Sequence, residues 1–203
     1  MPVVVLDEPA AADDLGAALV AGGLPVAEVT LRSPRAAEVV HRLARRGDVH
    51  VGVGTVLTAA QVEAAHELGA RFVVSPGLVP EVVHRCRELD LPVLPGVATA
   101  GEIAAALALG LDTVKLFPAE VVGGVPAVRA FSAVFGGLRF VPTGGITAAS
   151  APAYLAEPAV AAVGGSWMVA PDLLAAGEWD EVARRCAAAA VLGAPEACEA
   201  VPG

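Results

Sequence analysis

The chain has 203 residues, 56% of them hydrophobic, which is enough to bury one sizeable core. Its formal net charge of −9 argues against nucleic acid or an anionic membrane as partner, and no apolar run reaches the ~18 residues of a membrane span. Three cysteines without a CxxC pair, and a start in Met-Pro-Val-Val-Val without a basic, cleavable leader, point to a reduced, cytoplasmic protein.

From the N-terminus onward, short apolar runs alternate with longer Ala-rich amphipathic stretches. Strands are predicted at 3–6, 24–31, 49–54, 71–74, 92–95, 112–117, 138–142 and 159–163. Helices are predicted near 9–21, 34–46, 58–68, 79–89, 100–109, 125–135, 147–156 and 171–192. Ser33-Pro34 reads as an N-cap followed by a first-turn proline, and Gly47 follows the last turn of that helix. Thr58 with Gln61, and Thr99 with Glu102, have capping-box spacing, while Gly69 and Gly110 stand where C′ glycines belong. No linker or charge block divides the chain, so one domain is expected over 1–193, with a C-terminal tail at 194–203. Eight successive strand–helix units imply an α/β fold of the single-domain (β/α)8 TIM-barrel type. An open doubly wound sheet is the alternative, but glycine-rich turns after both of the last two strands favour the barrel.

Four histidines, at 41, 50, 66 and 84, show no HxxxH or HxH spacing and no neighbouring Cys or carboxylate cluster, so no metal site is expected. No GxGxxG or GxxxxGKS follows a strand, and no nucleotide cofactor is expected either. The basic residues carry a different signal. Of thirteen Lys and Arg side chains, only Lys115 is a lysine. A guanidinium keeps its proton, whereas an ε-ammonium can release one and become a nucleophilic amine. A lone lysine is also what chance leaves in an Arg-rich chain, so its setting decides between the two.

In a barrel of this kind, active sites gather at the C-terminal ends of the strands. Period two places Thr113, Lys115 and Phe117 on one face of the sixth strand, with Val114 and Leu116 on the other. The apolar pair suits packing against helices, which sends Lys115 into the barrel. In the second strand Glu28, Thr30 and Arg32 alternate with Ala27, Val29 and Leu31 in the same way. Buried charges need a partner or a task, so these residues either fill the barrel as an internal ion pair or serve chemistry. Thr55 closes the third strand after Gly52 and Gly54, which suggests close backbone approach there. Ser75-Pro76-Gly77 after the fourth strand is a plain turn or a wall of the same site. Pro142-Thr143-Gly144-Gly145-Ile146 and Gly164-Gly165-Ser166-Trp167 follow the last two strands, the usual phosphate cradle of this architecture.

Taken in order, the strings Glu-Val-Thr-Leu-Arg (28–32), Gly-Val-Gly-Thr-Val (52–56), Ser-Pro-Gly (75–77), Lys-Leu-Phe-Pro-Ala-Glu (115–120), Pro-Thr-Gly-Gly-Ile (142–146) and Gly-Gly-Ser-Trp (164–167) resemble one family. It is the 2-keto-3-deoxy-6-phosphogluconate (KDPG) aldolase and 4-hydroxy-2-oxoglutarate aldolase family of class I aldolases. The resemblance implies that Lys115 forms the Schiff base and Glu28 is the general acid/base. It further implies that Arg32 and Thr55 bind the pyruvyl carboxylate and that Phe117 packs on the lysine, with Pro76 beside them. The phosphate then lies on Thr143, Gly144, Gly145, Gly165 and Ser166. A metal-free homotrimer acting on a phosphorylated 2-keto acid is implied as well. Two departures stand out: the first strand begins without the family's usual preceding helix, and Ser33 stands where Thr often follows the arginine. Three other readings remain. They are a sister pyruvate aldolase acting on the galactonate epimer or on 4-hydroxy-2-oxoglutarate, a sugar-phosphate isomerase or synthase using Lys115 as a clamp, and a silent phosphometabolite-binding protein.

Overall fold

The computed structural model describes residues 1–193. The predicted tail at 194–203, which includes Cys198, lies outside the described residues. Seven parallel strands form one curled sheet in the order of the sequence. They are β1 (Val3–Val4), β2 (Val26–Thr30), β3 (His50–Gly54), β4 (Phe72–Ser75), β5 (Val93–Val97), β6 (Thr113–Leu116) and β7 (Arg139–Phe140). The helices that return the chain between them are α1 (Ala12–Ala21), α2 (Ala36–Arg46), α3 (Ala59–Glu67), α4 (Pro80–Glu88), α5 (Ala100–Ala108) and α6 (Gly124–Val134), and α7 (Ala151–Leu155) comes after β7. Two more, α8 (Pro171–Ala176) and α9 (Trp179–Ala190), follow the sheet.

Alternation along the strands separates the layers as expected. Val114 and Leu116 are fully buried beside Ile103, Val128 and Phe140, the outer packing of β6. Val29, Val51, Val53 and Val73 bury the outer faces of β2, β3 and β4 with α2 residues Val39, Val40 and Leu43. Both predicted capping boxes are present: Thr58 accepts from Gln61 N–H and Thr99 from Glu102 N–H, with the reciprocal side-chain bonds made. Gly69 and Gly110 carry φ of +85° and +71°, so each ends its helix in the left-handed region that glycine tolerates.

Three expectations are corrected. Ser33 does not cap α2; its Oγ accepts from Arg35 N–H at 3.1 Å in a turn, and the helix begins only at Ala36. The helix predicted over 171–192 is two helices, because Gly177 at φ +69° ends α8 before Trp179 starts α9. The eighth strand predicted at 159–163 is reduced to isolated parallel bridges, Phe140↔Val160 and Thr143↔Gly164 on one side and Pro2↔Gly165 on the other. Between the first two bridges β7's continuation advances three residues and the 160–164 segment four, which is a bulge. Pro142 falls in this gap and has no N–H to donate, so a regular ladder cannot pass through it.

Candidate active site

The centre of the site is a buried ion pair. Lys115 on β6 and Glu28 on β2 are 5% and 1% exposed, and Nζ donates to Oε1 at 3.1 Å and to Oε2 at 3.3 Å. Two strands far apart in the sheet are thus joined by their inward side chains. Removing one partner of such a pair leaves an uncompensated buried charge, at a cost of about 3–5 kcal/mol. Gly54 makes room for the pair. A Cβ there would run into the Glu28 carboxylate, and the parallel register sets Thr30 beside Gly54. The glycine of β3 that suggested close approach is therefore the floor under the glutamate.

Around the pair, Nζ sits 5.2 Å from the centroid of the Phe117 ring. Thr30 is buried; its hydroxyl donates to Val4 O at 3.2 Å and accepts from Arg32 Nε at 3.2 Å. That bond aims the guanidinium from the exposed rim toward the cavity, so Arg32 differs from Glu28 and Thr30 in standing at the mouth. Thr55 adopts φ +64°, a conformation rarely taken by a β-branched residue and one that clusters at functional sites. Pro76 stands at the same rim, held where its carbonyl abuts the bare Cα of Gly96. These residues, with Val3 and Thr143, enclose a cavity of about 170 Å³.

A second cavity of about 430 Å³ adjoins it through Val3, Arg32, Phe117 and Thr143. Its far wall is Gly144, Gly145, Ile146, Thr147, Gly165, Ser166 and Trp167. Gly144 and Gly145 have φ of +102° and +81°, so backbone rather than side chain faces this space. The N–H groups of Gly144, Gly145 and Ser166 meet no acceptor among the described residues. Donors held this way suit an anion without any basic surface, which resolves the tension with the net charge of −9. Gly165 is bare because the Trp167 ring lies where its Cβ would be.

All eleven residues singled out from the sequence thus line one of two connected cavities. Sequence reasoning passed over Val3, Thr147 and the orienting bond that Arg32 donates to Thr30. A run of Val3, Val4 and Val5 gives no alternation by which to choose the inward residue. The four histidines are exposed, and His50 stacks on Phe72 at the opposite, N-terminal end of the strands.

With this geometry in place, the likeness to known proteins takes on meaning. The family model for KDPG and KHG aldolase matches residues 1–185. The 2-dehydro-3-deoxy-phosphogluconate aldolase of Zymomonas mobilis is 47% identical over 169 residues, 83% of this chain and 81% of that protein. The KHG/KDPG aldolase of Escherichia coli is 40% identical over 185 residues, 91% of this chain and 87% of its own length. A crystal structure of KDPG aldolase from Legionella pneumophila, with pyruvate captured as a covalent carbinolamine intermediate, superposes with a TM-score of 0.90 at 39% identity, covering 93% of this chain and 92% of that one. This chain belongs to the KDPG and KHG aldolase family.

Proposed function

We propose that the chain cleaves KDPG to pyruvate and glyceraldehyde 3-phosphate through a Schiff base on Lys115. The observation that carries this reading is the lone lysine, buried against a carboxylate in a small cavity that opens onto a glycine-lined one. An amine, a proton carrier and an anion cradle are what a phosphorylated 2-keto acid needs for retro-aldol cleavage.

In this mechanism the neutral Lys115 amine adds to the C2 carbonyl, and loss of water from the carbinolamine gives an iminium. Glu28 takes the proton of the C4 hydroxyl. The electron pair of the C3–C4 bond moves into the iminium, and glyceraldehyde 3-phosphate departs as the aldehyde. The enamine left on Lys115 is protonated at C3 by Glu28, and water releases pyruvate and the free amine. A carboxylate with both oxygens within 3.3 Å of Nζ is placed to exchange protons with the amine at each stage. Arg32 and Thr55 hold the pyruvyl carboxylate, Phe117 and Pro76 close over the reacting carbons, and Thr143, Gly144, Gly145, Gly165 and Ser166 hold the phosphate.

The wider reading is a closed (β/α)8 barrel forming a single domain over 1–193. Bridges from the 160–165 segment to both Phe140 and Pro2, the two edges of the sheet, support closure. Assembly as a homotrimer is part of the same reading; the exposed Val121, in the turn before α6, and Val134, at the end of that helix, fit a covered surface. Among the described residues no helix is long and apolar enough to cross a membrane.

Side-by-side assays of pyruvate release from KDPG, its galactonate epimer and 4-hydroxy-2-oxoglutarate test the substrate. The expected order puts KDPG first, because it alone combines the gluconate configuration with a phosphate for the second cavity. Faster release from either alternative would move the assignment to a sister aldolase.

A further inference from the structure

Behind the glycine loop, outside the lining of either cavity, stand Glu120 and Tyr154. The segment after β6 grips the loop after β7 by two consecutive carbonyls: Ala119 N–H donates to Thr143 O at 2.8 Å and Glu120 N–H to Gly144 O at 3.1 Å. In a planar trans peptide the carbonyl and the following N–H point in opposite directions. Holding those two carbonyls therefore turns the N–H groups of Gly144 and Gly145 away from residues 119 and 120. Both glycines line the larger cavity, and neither N–H meets an acceptor among the described residues.

The glutamate side chain extends the grip. Its Cβ and Cγ lie 2.8 and 2.7 Å from where a Cβ on Gly145 would stand, so it fills the space that this glycine leaves open. Its Oε1 accepts a hydrogen bond from Tyr154 Oη at 2.8 Å. Glu120 is otherwise exposed, whereas Tyr154 is 1% exposed and rooted in the core around β6 and β7. Burial, and then the carboxylate itself, push the phenol above its ordinary value, so it stays a donor throughout the neutral range. An immobile phenol thus fixes a surface carboxylate, and the carboxylate's chain fixes the loop.

We propose that the Glu120–Tyr154 pair is a positioning device for substrate recognition: it holds the Gly144 and Gly145 amides in place for the phosphate and sets their separation from Lys115. The proposal rests on the aldolase reading above and deepens it. Because Lys115, Phe117 and Glu120 belong to one continuous segment, the imine-forming end and the anion-binding end of the site share a support. Loosening the pair is expected to harm recognition of the phosphate while sparing the chemistry of the lysine.

The test compares KM and kcat on KDPG with the rate at which borohydride traps pyruvate on Lys115, in wild type, Tyr154→Phe, Glu120→Ala and Glu120→Gln. Tyr154→Phe and Glu120→Ala are expected to raise KM for KDPG about tenfold, the equivalent of one charge-assisted hydrogen bond. Pyruvate carries no phosphate, so its trapping is expected to stay at the wild-type rate. Glu120→Gln keeps an oxygen that accepts from the phenol and should restore most of the KM. An unchanged KM in the first two variants overturns the proposal, as does a parallel loss of trapping, which would mark a general structural role. No rescue by Glu120→Gln also counts against it. Glu120→Ala removes no core atom, so it keeps the test decisive should Tyr154→Phe unfold. Wild-type protein that traps no pyruvate would instead sink the aldolase reading itself, a result separate from any behaviour of the variants.

Discussion

At the Lys115 end the site is built from charged side chains that rise off regular strands; at the Gly144–Gly145 end it is built from backbone in loops that follow them. The first end buries a cation and an anion against each other, and each holds the other in place at 3.1 Å. Among the described residues the second end has no cation in its wall except Arg32 at the shared boundary. Its donors are amides, and those of Gly144 and Gly145 sit in left-handed backbone that favours glycine. The two ends accordingly carry different demands. Bond-making needs a group that changes its protonation and covalency, which only a side chain supplies. Anion binding needs fixed dipoles, which backbone supplies with little rotamer entropy to lose.

That contrast can be broken most severely at the lysine. Lys115→Arg keeps a positive charge beside Glu28 but removes the nucleophile, and turnover on KDPG is expected to fall at least about 10⁴-fold. A steady-state assay with a thermal melt as control checks this. Near-wild-type turnover would reduce Lys115 to an electrostatic clamp and erase the difference between the two ends.

A smaller effect is expected from the glycine loop. Gly145→Ala places a Cβ at φ +81°, costing about 1–2 kcal/mol, and against the Glu120 side chain as well. KM for KDPG should rise by roughly tenfold, while borohydride trapping of pyruvate on Lys115 continues. If trapping fell as far as KDPG affinity, the ends would be one cooperative unit rather than two.

The smallest effect lies away from the site and bears on stability. Burial pushes the thiols of Cys86 and Cys186 up to about 11 from an ordinary value of 9.0. Between those values the folded chain keeps protons that the unfolded chain has released, so stability falls as pH rises through this window. Urea unfolding at pH 8 and pH 10 should show that decline, and a Cys86→Ala, Cys186→Ala double variant should show a shallower one. Equal slopes would mean that other groups govern the alkaline limb.

The same division explains what the sequence disclosed. Lys115, Glu28 and Thr30 were legible because alternation along a strand is a local rule, and polar residues on an inward face violate the expectation for a core. Glycine pairs after β7 were legible because left-handed backbone restricts residue choice. Contacts set by register or by chain reversal left no local trace. Nothing near Gly54 in sequence announces that the Glu28 carboxylate will lie over it, and nothing near Tyr154 announces Glu120. Boundaries failed where a single residue governs hydrogen bonding. Gly177 divides one amphipathic stretch into α8 and α9, and Pro142 leaves the expected eighth strand as isolated bridges.

In the proposed mechanism the amine of Lys115 becomes covalently bound to the substrate's carbonyl carbon. Wild-type protein incubated with pyruvate and sodium borohydride, then digested and mapped by mass spectrometry, tests it directly. One pyruvyl adduct is expected, on the peptide containing Lys115, with activity lost in proportion. Protein that cleaves KDPG yet yields no adduct at Lys115 would contradict it.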